Sequence, residues 1–282
     1  MHVLQNSRQL SPGSAAGIIM QKVLYISALG SGSSGNCILI SNGASSVMVD
    51  VGFSCRETKS RMSCITPCPA PVAAALITHD HSDHVKGCRV FCDDMDIPAA
   101  VSIRTAEYLN TKNLLPRKCL RFEPGAQFNV ANFQIGTFPV PHDAMEPVGF
   151  VVQSGDFAVG IATDLGEIDQ TSCAYLSNCD ALILEANYDP ELLRNCDRPL
   201  RLKRRIAGRH GHLENRAMCE ALPKLISEKT KLLMLVHISS ECNLPELVEK
   251  MARQTLCNMG REDITLSLAF QDRPVGPFKL ER

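Results

Sequence analysis

Short apolar runs in this chain keep stopping at a side chain that can ionise, and that repetition limits the folds open to it. Val47 to Val49 ends at Asp50, Val72 to Ile77 runs into Thr78-His79, and Phe133 to Val140, alternating only partly, stops just before His142. Phe157 to Thr163 ends at Asp164, and Leu232 to Val236 ends at His237. Runs of this length, rich in aliphatic and β-branched residues, read as buried strands. Strands that finish together gather their terminal side chains at one rim of the sheets, which is one way to build an active site.

The densest of these ends reads Thr78-His79-Asp80-His81-Ser82-Asp83-His84. In an extended loop, residues i and i+2 project to the same side, so His79 and His81 can grip one metal ion. Asp83 and His84, past a turn, can reach a second. Imidazole mixed with carboxylate suits zinc, manganese or iron, and a hydrolase that draws hydroxide from bound water needs such a mixture with positions left open. A polar surface loop with chance histidines is the competing reading, and the strand ends elsewhere weigh against it.

At 282 residues with 45% hydrophobic content, the chain has the makings of an ordinary globular core. No apolar segment approaches the ~20 residues that span a bilayer, and the N-terminus lacks the apolar centre of a secretory signal, so the expected location is the cytoplasm. Residues 1–19, with Ser11-Pro12-Gly13-Ser14 in the middle, read as a disordered leader before one domain over 20–282, with Met20 as a candidate start. The 13 cysteines are odd in number and include no Cys-x-x-Cys; Cys64/Cys68 and Cys88/Cys92 lack the histidine pair of a zinc knuckle. They read as reduced, mostly buried small hydrophobes.

The net charge of −1 hides an asymmetry. Between Arg194 and Arg209 seven basic residues face one acid, Asp197, leaving that segment at +6 and the remainder at −7. Such a patch on an acidic body fits a polyanion held in one spot, or else a solvated helix face. Near the start, Gly30-Ser31-Gly32-Ser33-Ser34-Gly35-Asn36 can present amides and hydroxyls to a phosphate through Ser33, Ser34 and Asn36, or can simply turn a hairpin. It lacks the Gly-Lys-Ser/Thr ending of a nucleotide-binding loop.

Further strands are expected at Val23 to Leu29, Cys37 to Ser41, Val148 to Gln153 and Ala181 to Leu184, with a hairpin from Leu120 to Phe138. Helices are expected near Arg104 to Asn113, over Asn215 to Ile226, and over Pro245 to Gln254 with Leu247, Val248 and Met251 inward. A last strand, Ile264 to Ala269, precedes a polar tail. Two groups of strands with helices between and after them fit an α/β (α+β) four-layer αββα sandwich.

The order and spacing of the His-x-His-x-Asp-His string, His142, Asp164 and His237 resemble the metallo-β-lactamase superfamily of dinuclear hydrolases, from about Met20 to the C-terminus. The resemblance implies His79, His81 and His142 on one metal, Asp83, His84 and His237 on the second, Asp164 bridging, and Asp50 orienting ligands. The Gly30 to Asn36 opening, with Glu185-Ala186-Asn187-Tyr188-Asp189, narrows it to the YycJ/WalJ-type branch, whose members are metal-dependent 5′→3′ DNA exonucleases. That implies two divalent cations, Zn²⁺ or Mn²⁺ with Fe as an option, and DNA, chiefly duplex ends, as partner, with no membrane. The branch continues with a basic stretch and an element represented by Gly211-His212-Leu213-Glu214-Asn215. Glu214 stands where serine is usual, an anion that weakens any phosphate contact there unless it caps the following helix.

Asp83 and His212 are then the catalytic candidates, His212 as proton donor to a leaving alkoxide or, alternatively, as a structural or phosphate-binding histidine. Asn187, Arg204 and Arg205 join the candidate substrate contacts, Asn187 with a buried structural role as its alternative. β-Lactamases commonly carry Asp-Arg and a cysteine at the matching places, diiron relatives a carboxylate at His81, and β-CASP nucleases a large insertion that the 73-residue gap from Asp164 to His237 is too short to hold. The rival readings are an enzyme for small or cyclic phosphodiesters, a thioester hydrolase, and a noncatalytic DNA-binding module.

Overall fold

Alternation along the strands sets the layers. Leu232, Met234 and Val236 face one apolar cluster while Leu233 and Leu235 face another on the opposite side of the same strand, as the two-residue period of an extended chain requires. The computed structural model describes residues 23–282, so the expected leader and the candidate start at Met20 lie outside the described residues.

Six strands, β1 (Val23–Gly30), β2 (Cys37–Ser41), β3 (Ser46–Val49), β4 (Val72–Leu76), β5 (Ala99–Ser102) and β6 (Cys119–Phe122), begin the first sheet. Seven more, β7 (Gln127–Val130), β8 (Phe133–Pro139), β9 (Val148–Ser154), β10 (Phe157–Ala162), β11 (Ala181–Glu185), β12 (Leu232–Val236) and β13 (Thr265–Leu268), form the second. β14 (Val275–Glu281) then returns to the first. The orders are β14-β1-β2-β3-β4-β5-β6 and β13-β12-β11-β10-β9-β8-β7.

The inner faces meet through Ile26, Val49 and Leu76 on one side and Phe150, Val159, Ile183 and Met234 on the other. Helices α1 (Cys55–Ser63), α3 (Cys88–Asp94) and α4 (Ile103–Thr111) flank the outer face of the first sheet, where Met48, Ile77, Phe91 and Leu109 are buried together; α2 (Ser82–Val85) is a single turn before α3. Helices α5 (Gln170–Leu176), α8 (Asn215–Leu225) and α9 (Pro245–Asn258) cover the second sheet through Leu176, Leu222 and Val248. The expected αββα sandwich is therefore the observed one. No helix among the described residues is long and apolar enough to cross a membrane.

Two local expectations are corrected. Leu120 to Phe138 is not one hairpin: β6 pairs in parallel with β5 in the first sheet, and only β7 and β8 form an antiparallel pair, in the second. Gly125, at φ 92°, takes the crossing turn between sheets, and Phe122 stacks on Phe128 across the gap at 5.3 Å. Nor is the C-terminal stretch a loose tail, since β14 pairs antiparallel with β1, Leu280 opposite Leu24. Only Leu280 of its residues is buried, and Gly276, Pro277 and Lys279 mask its strand character. In α9 the inward face is Val248, Ala252 and Leu256, with Leu247 and Met251 at its margin.

Candidate metal centre

Strand direction brings the ionisable ends together. β3 runs parallel to β4, and β10, β11 and β12 run parallel to one another. β8 is antiparallel to β9, which is antiparallel to β10, so β8 points the same way as β10. Asp50, Thr78-His79, His142, Asp164, Glu185 and His237 consequently follow strands that finish at one rim. Three of these residues turn the chain with left-handed backbone: Asp50 at φ 62°, Asp164 at 54° and His237 at 54°. Such conformations cost about 1–3 kcal/mol each outside glycine and persist where surrounding bonds over-determine them.

Those bonds are present. The Asp50 carboxylate accepts from Thr78 N at 2.8 Å, from Thr78 Oγ1 at 2.8 Å and from His84 Nδ1 at 2.7 Å. His142 Nδ1 donates to the Gly211 carbonyl at 2.9 Å. Glu185 Oε1 lies 3.1 Å from His237 Nδ1 and 2.7 Å from His212 Nδ1, while its Oε2 accepts from Leu165 N at 2.9 Å and Leu213 N at 3.3 Å. Each ring thereby has one nitrogen spoken for, which fixes the tautomer and leaves Nε2 of His84, His142 and His237 for the centre.

The ligand atoms of His79, His81 and His142 lie within 4.8 Å of one another, as do those of Asp83, His84 and His237, of His79, His84 and Asp164, and of Asp164, Glu185, His212 and His237. His84 Nε2 stands 2.9 Å from Asp164 and 3.3 Å from Asp83. His79 Nε2 is buried with no hydrogen-bond partner. An orphaned imidazole nitrogen facing other imidazoles and carboxylates is what a site for a borderline divalent cation provides, so these residues fit a divalent metal.

Electrostatics agree. Burial draws His79 well below its usual pKa, keeping it a neutral donor. Burial opposes charge on His84 and His237 too, but carboxylates override it: Asp164 and Asp50 hold His84 well above its normal value, and Asp164, Asp83 and Glu185 lift His237 to about 10. Burial would raise Asp83, yet hydrogen bonds from His237 and His84 keep it far below the ordinary carboxylate range. The carboxylates demand compensating positive charge at the rim, from protons or from metal.

Gly52 admits no other residue beside this loop. A Cβ there would stand 1.7 Å from the Asp83 carbonyl oxygen and 2.5 Å from Asn36 N. The loop's other margin is tied by Asp80, whose carboxylate accepts from Met145 N at 2.8 Å.

The expected substrate contacts divide. Ser33, Asn187, Arg205 and His212 line one cavity of about 90 Å³ with Asp143, Arg198, Leu202, Ile206, Gly211 and Ser239. Arg205 is ion-paired with Asp143 there. Ser34 is exposed at the turn tip, its amide bonded to Gln271. Asn36, expected on substrate, is instead buried, with its amide 3.1 Å from Asp83 Oδ2 and 3.0 Å from His84 Nε2. Asn187 is also buried, donating to the His237 carbonyl at 2.7 Å. Arg204 is exposed and does not line the cavity. Glu214 occupies the N-cap of α8, but its side chain makes no capping bond. The sequence assigns no role of their own to Glu185, Thr78 and Gly52; for Glu185 the signal was available, an apolar run stopping at a carboxylate like the others.

Comparison with known proteins agrees with this architecture. A model of the β-lactamase superfamily domain matches residues 8–238. The chain is 30% identical over 256 residues, 89% of its own length and 94% of the relative's, to Exodeoxyribonuclease WalJ of Streptococcus pneumoniae serotype 2. To Exodeoxyribonuclease YycJ of Bacillus anthracis it is 29% identical over 84% of this chain and 90% of that one. Among solved structures, the metallo-β-lactamase fold protein YhfI from Bacillus subtilis superposes with a TM-score of 0.67 at 16% identity, covering 92% of this chain and all of that one.

Proposed function

The chain belongs to the β-lactamase superfamily, and from that membership we propose that it is a metal-dependent exodeoxyribonuclease working with two divalent cations, Zn²⁺ or Mn²⁺. In this reading His79, His81 and His142 would hold one ion, Asp83, His84 and His237 would hold the other, and Asp164 would be available to both. The observation that carries it is the buried, partnerless Nε2 of His79 set among these ligand atoms. When bound, two such cations supply an activated water near neutral pH and positive charge for the oxygens of a phosphodiester.

The chain's own groups do the rest. Asp50, the Gly211 carbonyl and Glu185 hold the His84, His142 and His237 rings in place, so no reorganisation accompanies reaction. His212 gives Nδ1 to Glu185, and although burial opposes a charge on it, Glu185 raises its pKa above the ordinary imidazole value, which favours the protonated ring. With Nδ1 engaged, Nε2 is the nitrogen left to protonate the leaving oxygen. The cavity beside it offers the Ser33 and Ser239 hydroxyls and the guanidinium groups of Arg198 and Arg205 to the strand's phosphates. The likeness to named exodeoxyribonucleases supports DNA as substrate, and digestion is taken to run 5′→3′ from duplex ends.

End-labelled linear duplex DNA with added Mn²⁺ or Zn²⁺, beside a His81→Ala control, tests this. Progressive loss from the 5′ end that disappears in the variant is the expected result. Turnover of a small chromogenic diester without DNA digestion would move the protein to the small-molecule phosphodiesterases.

A further inference from the structure

Helices α6 (Pro190–Asn195) and α7 (Leu200–Ile206) carry most of the basic segment and rest on a small apolar cluster of Tyr188, Leu193, Ile206 and Cys242. At the margin of that cluster the Cys242 thiol lies 3.4 Å from Cys196 Sγ, sulfur to sulfur. Cys242 is buried, whereas Cys196 is partly exposed. The same two segments are joined beside the sulfurs by Arg198, whose guanidinium grips Glu241 at 2.9 and 3.0 Å. Arg198, Leu202, Arg205 and Ser239, from these segments, line the cavity next to His212.

We propose that Cys196 and Cys242 are a redox-active dithiol that closes to a disulfide in response to peroxide and, by shifting the basic helices over the substrate cavity, slows DNA cleavage. The effect on cleavage rests on the nuclease reading; the disulfide does not. The two thiols are unequal, as such a reaction needs. The amide of Arg198 draws Cys196 below its ordinary pKa against a slight burial effect, with Lys203 and Arg198 adding positive charge, while burial pushes Cys242 up. Cys196 is therefore the attacking sulfur.

Its thiolate attacks one peroxide oxygen, the O–O bond breaks, and the departing hydroxide takes a proton to become water, leaving a sulfenic acid on Cys196. The Cys242 sulfur then attacks that sulfur, its proton goes to the departing oxygen, the S–O bond breaks, and a second water leaves. Two thiols are oxidised by two electrons and the peroxide is reduced to two waters. A disulfide requires about 2.05 Å between sulfurs, so closure brings the two sulfurs nearer by roughly 1.4 Å, through side-chain rotation together with movement of the two segments. Displacements of about 1 Å near a reacting centre can cost ~100-fold in rate. Cys88 and Cys92, in contact one turn apart on α3, are wholly buried in the core, out of reach of oxidant.

The full-length, metal-loaded protein would be treated with hydrogen peroxide, blocked with an alkylating reagent, and mapped by mass spectrometry beside Cys196→Ser and Cys242→Ser. A cross-linked peptide pair joining Cys196 to Cys242, lost on reduction, is expected. DNA cleavage should fall roughly fivefold or more while hydrolysis of bis(p-nitrophenyl) phosphate stays within about twofold, and Cys196→Ser should keep its DNA activity under peroxide. Both thiols remaining open to alkylation, or Cys196→Ser losing DNA activity as the wild type does, would overturn the proposal. If the reduced protein cuts no DNA at all, the nuclease reading fails, and the cross-link, read by mass alone, still decides the dithiol.

Discussion

Replacing Glu185 by glutamine keeps shape and volume but removes one acceptor, and the structure dictates where the loss falls. Glu185 Oε2 accepts two backbone amides, Leu165 N and Leu213 N, and Oε1 serves two imidazoles, His212 and His237. A glutamine must turn its NH₂ toward one pair. Facing the amides, it orphans two backbone donors beside a fully buried side chain, at about 1–3 kcal/mol each and so roughly 2–6 kcal/mol together. Facing the rings, it can be accommodated if each imidazole moves its proton from Nδ1 to Nε2, a smaller penalty of about half that size by the same scale. The second arrangement should win. Its consequence is that His237 Nε2 carries a proton where a metal ligand is needed, and His212 loses the carboxylate that raises its pKa. The Glu185→Gln protein should therefore fold, melt within several degrees of wild type, bind Zn²⁺ about 10–100-fold more weakly, and lose at least ~100-fold in kcat on both DNA and a small diester. Thermal melts with and without metal, metal titration by calorimetry and diester kinetics measure each part. Wild-type metal affinity in a folded Glu185→Gln protein would refute the account of how these rings are oriented.

Other expectations follow from the same geometry. Gly52→Ala sets a Cβ 1.7 Å from the Asp83 carbonyl, so the loop must shift by more than 1 Å, and both metal affinity and melting temperature should drop sharply in a chelator-titrated melt. His84 and His237 sit above their ordinary pKa, so metal must displace their protons: uptake should release protons and tighten as pH rises from 6 toward 8, read by calorimetry in buffers of different ionisation enthalpy. Arg205→Ala combined with Arg204→Ala should weaken DNA cleavage by about tenfold at low salt while sparing a chromogenic diester, and the deficit should shrink as salt screens the phosphates. Equal loss on both substrates would remove the basic helices from DNA binding.

Much of this centre was legible because its residues are strand ends. A buried strand that stops at Asp50, Asp164 or His237 leaves a polar side chain at a sheet rim, and the two-residue spacing of His79 and His81 announces a shared target. The roles of neighbours were less legible. Asn36 has the composition of a phosphate-binding turn, yet folding of the Gly30 to Asn36 segment against Asp83 turns its amide inward. Glu185 ends an apolar run as the others do, but nothing in the run says that its carboxylate meets two imidazoles from segments 27 and 52 residues away. The crossing after Phe122 and the pairing of β14 with β1 were hidden for a related reason: short, half-exposed strands take their partners from tertiary packing, not from local alternation.

The centre draws Asp50, His79, His81, Asp83 and His84 from the first sheet's side and His142, Asp164, Glu185 and His237 from the second, with Asp83 and His237 meeting across 154 residues of chain. During synthesis, the histidine-rich loop emerges long before the strand that delivers His237. On the proposed ligand set, a nascent or truncated chain carries only part of the centre, and cleavage should wait until the two halves have closed on each other.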